Sequence, residues 1–232
     1  MNLEKLRQDA IEKAINQHYA VVSFKTDGTI RDANEKFLKL FGYELEEIVG
    51  KKHRIFCDSD YANSSEYIQF WNDLTNGYVQ TEEFKRIKKD GTSIFIQASY
   101  KPLINEDGQI FEILKFAQDI TSKKLESLDY SAKIKAINST QSVIEFDMNG
   151  FVLNANENLL NSLGYSLDEI IGKHQSMFCE EDYVKSNEYK EFWNKLRSGI
   201  HESGKYLRLG KNGKKVWVQA IYTPIFDIDK KT

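Results

Sequence analysis

Residues 56–61 read Phe-Cys-Asp-Ser-Asp-Tyr and residues 70–74 read Phe-Trp-Asn-Asp-Leu; 122 positions later the chain reads Phe-Cys-Glu-Glu-Asp-Tyr at 178–183 and Phe-Trp-Asn-Lys-Leu at 192–196. The same shift extends outward without a gap. Of the 76 positions from Asp27 to Pro102, 31 are identical to their mates from Asn149 to Pro224. Chance identity at ordinary composition is about one in twenty, so the chain is a duplication of one unit. Other shared islands are Ala33-Asn34-Glu35 with Ala155-Asn156-Glu157, Gly42-Tyr43 with Gly164-Tyr165, and Gln97-Ala98 with Gln219-Ala220. The register also reaches upstream, where Leu3, Leu6, Ala10, Ala14 and Ile15 return as Leu125, Leu128, Ala132, Ala136 and Ile137.

That upstream stripe steps by three or four, which is the apolar face of an amphipathic helix. Each unit therefore starts with a helix, expected over residues 1–17 and again over 122–138. Residues 19–25 then form a β-rich run ended by the turn pair Asp27-Gly28, and Thr29 to Asp32 completes a hairpin. Asn34 is placed to cap a helix carrying Phe37, Leu38 and Phe41, and Gly42 to end it; Asn156 has the same place in the second unit. Leu45 to Val49 is a further helical turn. Residues 51–76 read as helical and polar, with Tyr67, Phe70, Trp71 and Leu74 on one buried face. Three strands follow at 81–88, 93–103 and 110–118, joined at Asp90-Gly91 and at 105–108.

The 232 residues carry 32 Lys+Arg against 35 Asp+Glu, a net charge of −3, which argues against a protein that neutralises many phosphates of nucleic acid. With 41% hydrophobic and 29% charged residues, only 2 Pro and 13 Gly, the composition is that of a globular chain. It contains no apolar run of about 20 residues and no signal-peptide core, so neither a membrane span nor export is expected. The two cysteines, Cys57 and Cys179, form no CxxC pair; no zinc site or disulfide framework is suggested, and a reducing cytoplasm is the expected compartment. No GxSxG, HExxH, phosphate-cradling loop or spaced carboxylate pair is present, and the chain is not expected to be an enzyme.

The element order, with Gly42-Tyr43-x-Leu45-x-Glu47-Ile48, Gly50-Lys51, Phe56-Cys57-x-x-Asp60-Tyr61, Phe70-Trp71-x-x-Leu74, Arg86-x-x-Lys89-x-Gly91 and Gln97-Ala98-x-Tyr100-x-Pro102, resembles two PAS domains in tandem. Asp119-Ile120-Thr121 resembles the junction that ends a PAS sheet and launches a signalling helix. Within the superfamily the chain is most similar to the sensory half of methyl-accepting chemotaxis proteins of the aerotaxis and biofilm-dispersal type. The resemblance implies an α+β fold of two five-stranded antiparallel sheets, each with short helices over a concave face able to hold a small molecule. The domains are expected at 18–121 and 139–232, with a connector helix at 122–138. Thr232 is the mate of Ile110, so the second domain is expected to lack its last strand and the chain to end at a boundary within a longer protein, the output domain lying outside it.

Cofactor chemistry is left open between FAD, haem and none. Several PAS groups hold haem through one histidine, but His53 and His174 are displaced by one position in the repeat, which turns a helical side chain by about 100°. Both are read as surface or capping residues first and as cofactor ligands second. His18 and His201 are expected to face solvent. Trp71 and Trp193 resemble the ring-stacking residue of some flavin sensors, but core packing is the first reading of both. Flavin adduct chemistry needs a cysteine where this chain has His53 and Gln175; Cys57 and Cys179 are expected to be inert thiols. Arg86 and Arg208 are expected to solvate a hairpin end, the other reading being an interior anchor for an anion. The expected function is a cytoplasmic sensory module of a chemotaxis or energy-taxis transducer, acting as a homodimer; the rivals are a flavin- or haem-loaded redox sensor and a ligand-free scaffold of a kinase or cyclase.

Overall fold

A computed structural model describes residues 3–226, which fall into two units, Met1–Asp129 and Tyr130–Thr232. The first begins with helix α1 (Leu3–His18); residues 1 and 2 of the expected helix lie outside the described residues. Strands β1 (Ala20–Phe24) and β2 (Ile30–Ala33) form a hairpin, followed by α2 (Glu35–Phe41) and α3 (Leu45–Ile48). A 3-10 turn (His53–Phe56), α4 (Ser59–Ala62) and α5 (Ser65–Thr75) lead into β3 (Gln80–Ile87), β4 (Ser93–Ile104) and β5 (Ile110–Asp119). The five strands pair antiparallel in the order β2-β1-β5-β4-β3, so the last strand in sequence is central in space.

Alternation builds the core. Ala20, Val22 and Phe24 of β1, Ile94, Ile96, Ala98 and Tyr100 of β4, and Ile113 and Ala117 of β5 are buried on one face, where Phe37, Phe41, Ile48, Phe56, Phe70 and Leu74 from the helical layer meet them. The region expected to be helical through residues 51–76 is broken into three short pieces. Side-chain capping is the cause: Asp58 accepts from the Tyr61 N–H at 3.0 Å and Ser64 from the Tyr67 N–H at 3.2 Å, each opening a new helix. On the opposite face of the sheet, α1 leaves a groove lined by Ile11, Ile15, Val21, Leu114 and Phe116.

Helix α6 (Thr121–Thr140) leaves the end of β5 directly. The Thr121 hydroxyl fixes that exit, accepting from the Phe95 N–H at 3.0 Å.

The second unit repeats the order with β6 (Ile144–Phe146), β7 (Val152–Ala155), α7 (Glu157–Leu163), α8 (Leu167–Ile170), a 3-10 turn (Gln175–Phe178), α9 (Glu181–Lys185), α10 (Asn187–Arg197), β8 (Glu202–Leu209) and β9 (Lys215–Tyr222). Its sheet is two separate hairpins, β6–β7 and β8–β9. The first unit joins the equivalent hairpins through β5; among the described residues of the second unit no strand lies between them. Its core is correspondingly split, one cluster around Val152, Ile170 and Phe178 and another around Tyr189, Phe192, Trp193 and Leu196. Residues 227–232 lie outside the described residues.

Candidate ligand site

The two asparagines expected as helix caps do more than cap. Asn34 Oδ1 accepts from the Phe37 N–H at 2.9 Å and from the Val21 N–H at 3.0 Å, while its Nδ2 donates to Asn16 Oδ1 at 2.8 Å and to the Tyr19 carbonyl at 2.9 Å. Asn156 accepts from Leu159 and Val143 in the same way and donates to the carbonyls of Asn138 and Gln141. In each unit one side chain thus ties the end of the leading helix to the first strand and the first covering helix.

Histidine 53 is not on the surface; it is completely buried. The 3-10 turn that starts at His53 points the ring inward, where Nδ1 is hydrogen-bonded with the Tyr67 hydroxyl at 3.3 Å and Nε2 with the Tyr100 hydroxyl at 3.0 Å. The imidazole stacks at 15° on Tyr67 and meets Phe24 and Trp71 edge-on. Burial pushes its pKa well below the usual histidine range, helped by the positive charges of Arg86 and Lys115, so the ring is neutral at pH 7. One ring nitrogen donates and the other accepts, and neither is left for iron.

The second unit places Gln175 here. Its Oε1 accepts from the Tyr189 hydroxyl at 2.7 Å, and its buried Nε2 has no partner. His174, one position earlier, caps the 3-10 turn, its Nδ1 accepting from the Ser176 N–H at 3.2 Å. The one-residue displacement between the histidines therefore separates a core position from a capping position.

Arg86 and Arg208 are likewise interior, 2% and 6% exposed, and do not solvate a hairpin end. Arg86 lies on the inward period of β3 with Phe84, and its guanidinium stacks 4.6 Å from the Phe84 ring centre and 5.3 Å from that of Tyr61. Its Nη1 donates to the Lys85 carbonyl at 2.8 Å, but Nε and Nη2 have no partner. In the second unit Arg208 Nη2 donates to the Tyr222 hydroxyl at 3.1 Å. The mate of Tyr222 is Tyr100, whose hydroxyl is bound to His53.

Lys115, absent from the sequence expectations, sits on the central strand directly opposite Tyr100 and is completely buried. Its Nζ lies 4.9 Å from the Tyr100 ring centre and 5.6 and 5.7 Å from those of Phe41 and Phe37, with no hydrogen-bond partner. Burial pushes its pKa well below the ordinary lysine value. The signal for it was the period-two alternation Ile113, Lys115, Ala117, which puts a cation on the core face.

The remaining candidates pack as core. Trp71 is half-buried against the β1–β2 turn, where a Cβ on Gly28 would come within 3.1 Å of its indole; Trp193 is buried against the equivalent Gly150. Cys57 and Cys179 have pKa values raised by burial, which keeps the thiols protonated. His18 and His201 are exposed. Among the described residues, no cluster of three or more His, Cys, Asp or Glu is arranged to hold a metal ion, and no helix is long and apolar enough to cross a membrane.

A PAS domain model matches residues 18–122 and a PAS fold model residues 152–232. The chain is 37% identical over 218 residues to the biofilm dispersion protein BdlA of Pseudomonas aeruginosa, covering 94% of this chain and 52% of that protein. It is 21% identical over 194 residues to the oxygen sensor protein DosP of Escherichia coli, covering 82% of this chain and 24% of that one. A bacterioopsin transcriptional activator of Halobacterium salinarum matches 39% of the chain at 26% identity, across 13% of its own length. The chain thus spans about half the length of BdlA and smaller parts of the other two. Duplicated sequence, sheet order and family matches agree: the chain belongs to the PAS domain family and carries two PAS domains in tandem.

Proposed function

We propose that the chain is the cytoplasmic sensory module of a chemotaxis or energy-taxis transducer, detecting a small molecule inside a PAS domain and passing the change along its helices without catalysing a reaction. The observation that carries this reading is the course of α6. The helix starts where the central strand β5 ends, held by Thr121 on Phe95, and it finishes where Asn156 grips the Asn138 and Gln141 carbonyls. A shift of β5 therefore acts on the helix that leads into the second PAS domain, which is the two-state element that signalling needs. The likeness to BdlA supports the transducer class.

The helices also suit self-association. No residue of α1 or α6 is buried, and Leu3, Leu6, Leu125, Leu128, Ile134 and Ile137 stand exposed. Isolated helices of this length are marginal in water and gain their stability from packing, and a second copy of the chain is the partner we assign to these stripes.

Disrupting the gene in its source organism tests the reading. Loss of a taxis or biofilm-dispersal response, restored by the wild-type gene but not by Leu125→Asp/Leu128→Asp, is the expected result. An intact response in the disrupted strain overturns it. The rival redox-sensor reading predicts flavin bands or a Soret band in the freshly purified protein; a colourless preparation argues against both cofactors.

A further inference from the structure

We propose that the first PAS domain binds a compact carboxylate anion, held by Arg86 and Lys115 around the Tyr100 side chain. The inference rests on the sensory reading above and specifies the chemistry of what is sensed.

Four buried side-chain donors in this domain, Arg86 Nε, Arg86 Nη2, Lys115 Nζ and Trp71 Nε1, make no hydrogen bond. Buried donors without acceptors are rare because each forfeits its hydration without compensation. Here three of the four belong to one arginine and one lysine. Among the described residues no Asp or Glu is buried, so the protein supplies no counter-charge to this interior. The aromatic faces of Phe37, Phe41, Tyr100, Phe84 and Tyr61 around the two cations offer only weak, non-directional compensation.

The two cationic heads converge on one residue. Lys115 Nζ sits over the Tyr100 ring face, while the Arg86 charge acts on the Tyr100 hydroxyl. A guanidinium with Nε and Nη2 both free presents the edge that pairs with two carboxylate oxygens, and an ammonium supplies a point charge beside it. In the first domain the Tyr100 hydroxyl is hydrogen-bonded with His53 Nε2 and the Arg86 Nε and Nη2 groups beside it make no well-formed hydrogen bond, whereas Arg208 Nη2 donates to Tyr222 at 3.1 Å. The second domain, with Gln175 in that place, satisfies its arginine internally. The ligand site is therefore assigned to the first domain alone. Lys115 lies on β5, the strand that runs into α6, so an anion that draws on Lys115 acts on the element the sensory reading requires.

The purified chain is titrated with sodium formate, acetate, pyruvate and succinate against sodium chloride at equal ionic strength, by isothermal calorimetry and by the NMR shift of the Arg86 Nε–H. At least one carboxylate is expected to bind saturably and to move the Arg86 resonance. Arg86→Gln and Lys115→Met should each weaken it at least tenfold, while Arg208→Gln leaves it unchanged. Should Arg86→Gln fail to fold, Lys115→Met still decides, because it places an apolar side chain in an aromatic cage. Absence of saturable binding by all four carboxylates, or binding that survives Lys115→Met, overturns the proposal. The sensory reading fails separately, on an intact taxis and dispersal response in the disrupted strain.

Discussion

His53 Nε2 lies 3.0 Å from the Tyr100 hydroxyl in the first PAS domain, whereas in the second the matching Tyr222 hydroxyl accepts from Arg208 Nη2 at 3.1 Å. Two domains with the same tyrosine and the same arginine thus differ in the hydrogen bond the tyrosine makes, and His53 stands where the second has Gln175. Replacing His53 by Gln should convert the first interior to the pattern of the second, with the glutamine accepting from Tyr67 as Gln175 accepts from Tyr189. A loss of about 1 kcal/mol in urea unfolding is expected for His53→Gln. His53→Ala, which leaves a cavity and two unpaired hydroxyls, should cost about 3 kcal/mol. Equal losses for the two variants would show that the hydrogen bonds carry none of the effect.

Lys115→Met should stabilise the chain at pH 7, by about 1 to 3 kcal/mol, because it removes an ionisable amine from a buried site with no counter-ion. The pH dependence has a definite sign. The folded pKa of Lys115 is depressed, so between that value and the ordinary 10.5 the unfolded chain holds more protons, and wild-type stability rises with pH. The advantage of Lys115→Met over wild type should therefore shrink as pH is raised toward 10.5. Thermal unfolding of both proteins between pH 7 and pH 10 checks it; a gap that stays constant or widens would contradict a folded-state pKa depressed by burial.

Gly150→Ala should destabilise the second domain by about 1 to 3 kcal/mol. Gly150 has φ of 89°, and a Cβ there would stand 2.7 Å from His174 Nε2 and 2.9 Å from the Trp193 ring. Gly172→Ala, with φ of 69° and open space around its Cβ, carries only the backbone strain and should cost less. Tryptophan fluorescence during urea unfolding separates the two, and equal costs would remove the clash as a cause.

Amide hydrogen exchange should be faster in β9 than in β4. Strand β4 is bonded on both sides, by β3 and by β5, while among the described residues β9 is bonded to β8 alone and leaves Trp217 and Ile221 more than 70% exposed. Open ladder groups exchange through local fluctuations that a two-sided strand does not allow. Comparable protection of Gln97 and its mate Gln219 would argue against an open edge.

The duplication, the strand and helix order and the family were legible in the residues, because each rests on local features repeated at a fixed shift: turn glycines, capping asparagines and alternating apolar residues. That Asn34 and Asn156 cap helices was legible too, since a cap is set by residues within one turn, but not that the same side chains hold the preceding helix, a contact across 18 residues. Tertiary structure alone decided the fate of His53, Arg86 and Lys115. A histidine after a glycine turn and an arginine near a hairpin end have the sequence character of surface residues, and burial of a charge is unfavourable enough to be the last expectation. Their burial follows from the concave sheet, whose central strand is the last in sequence. Closing it brings Tyr100, Tyr67, Arg86 and Lys115, residues separated by up to 48 positions, around one imidazole.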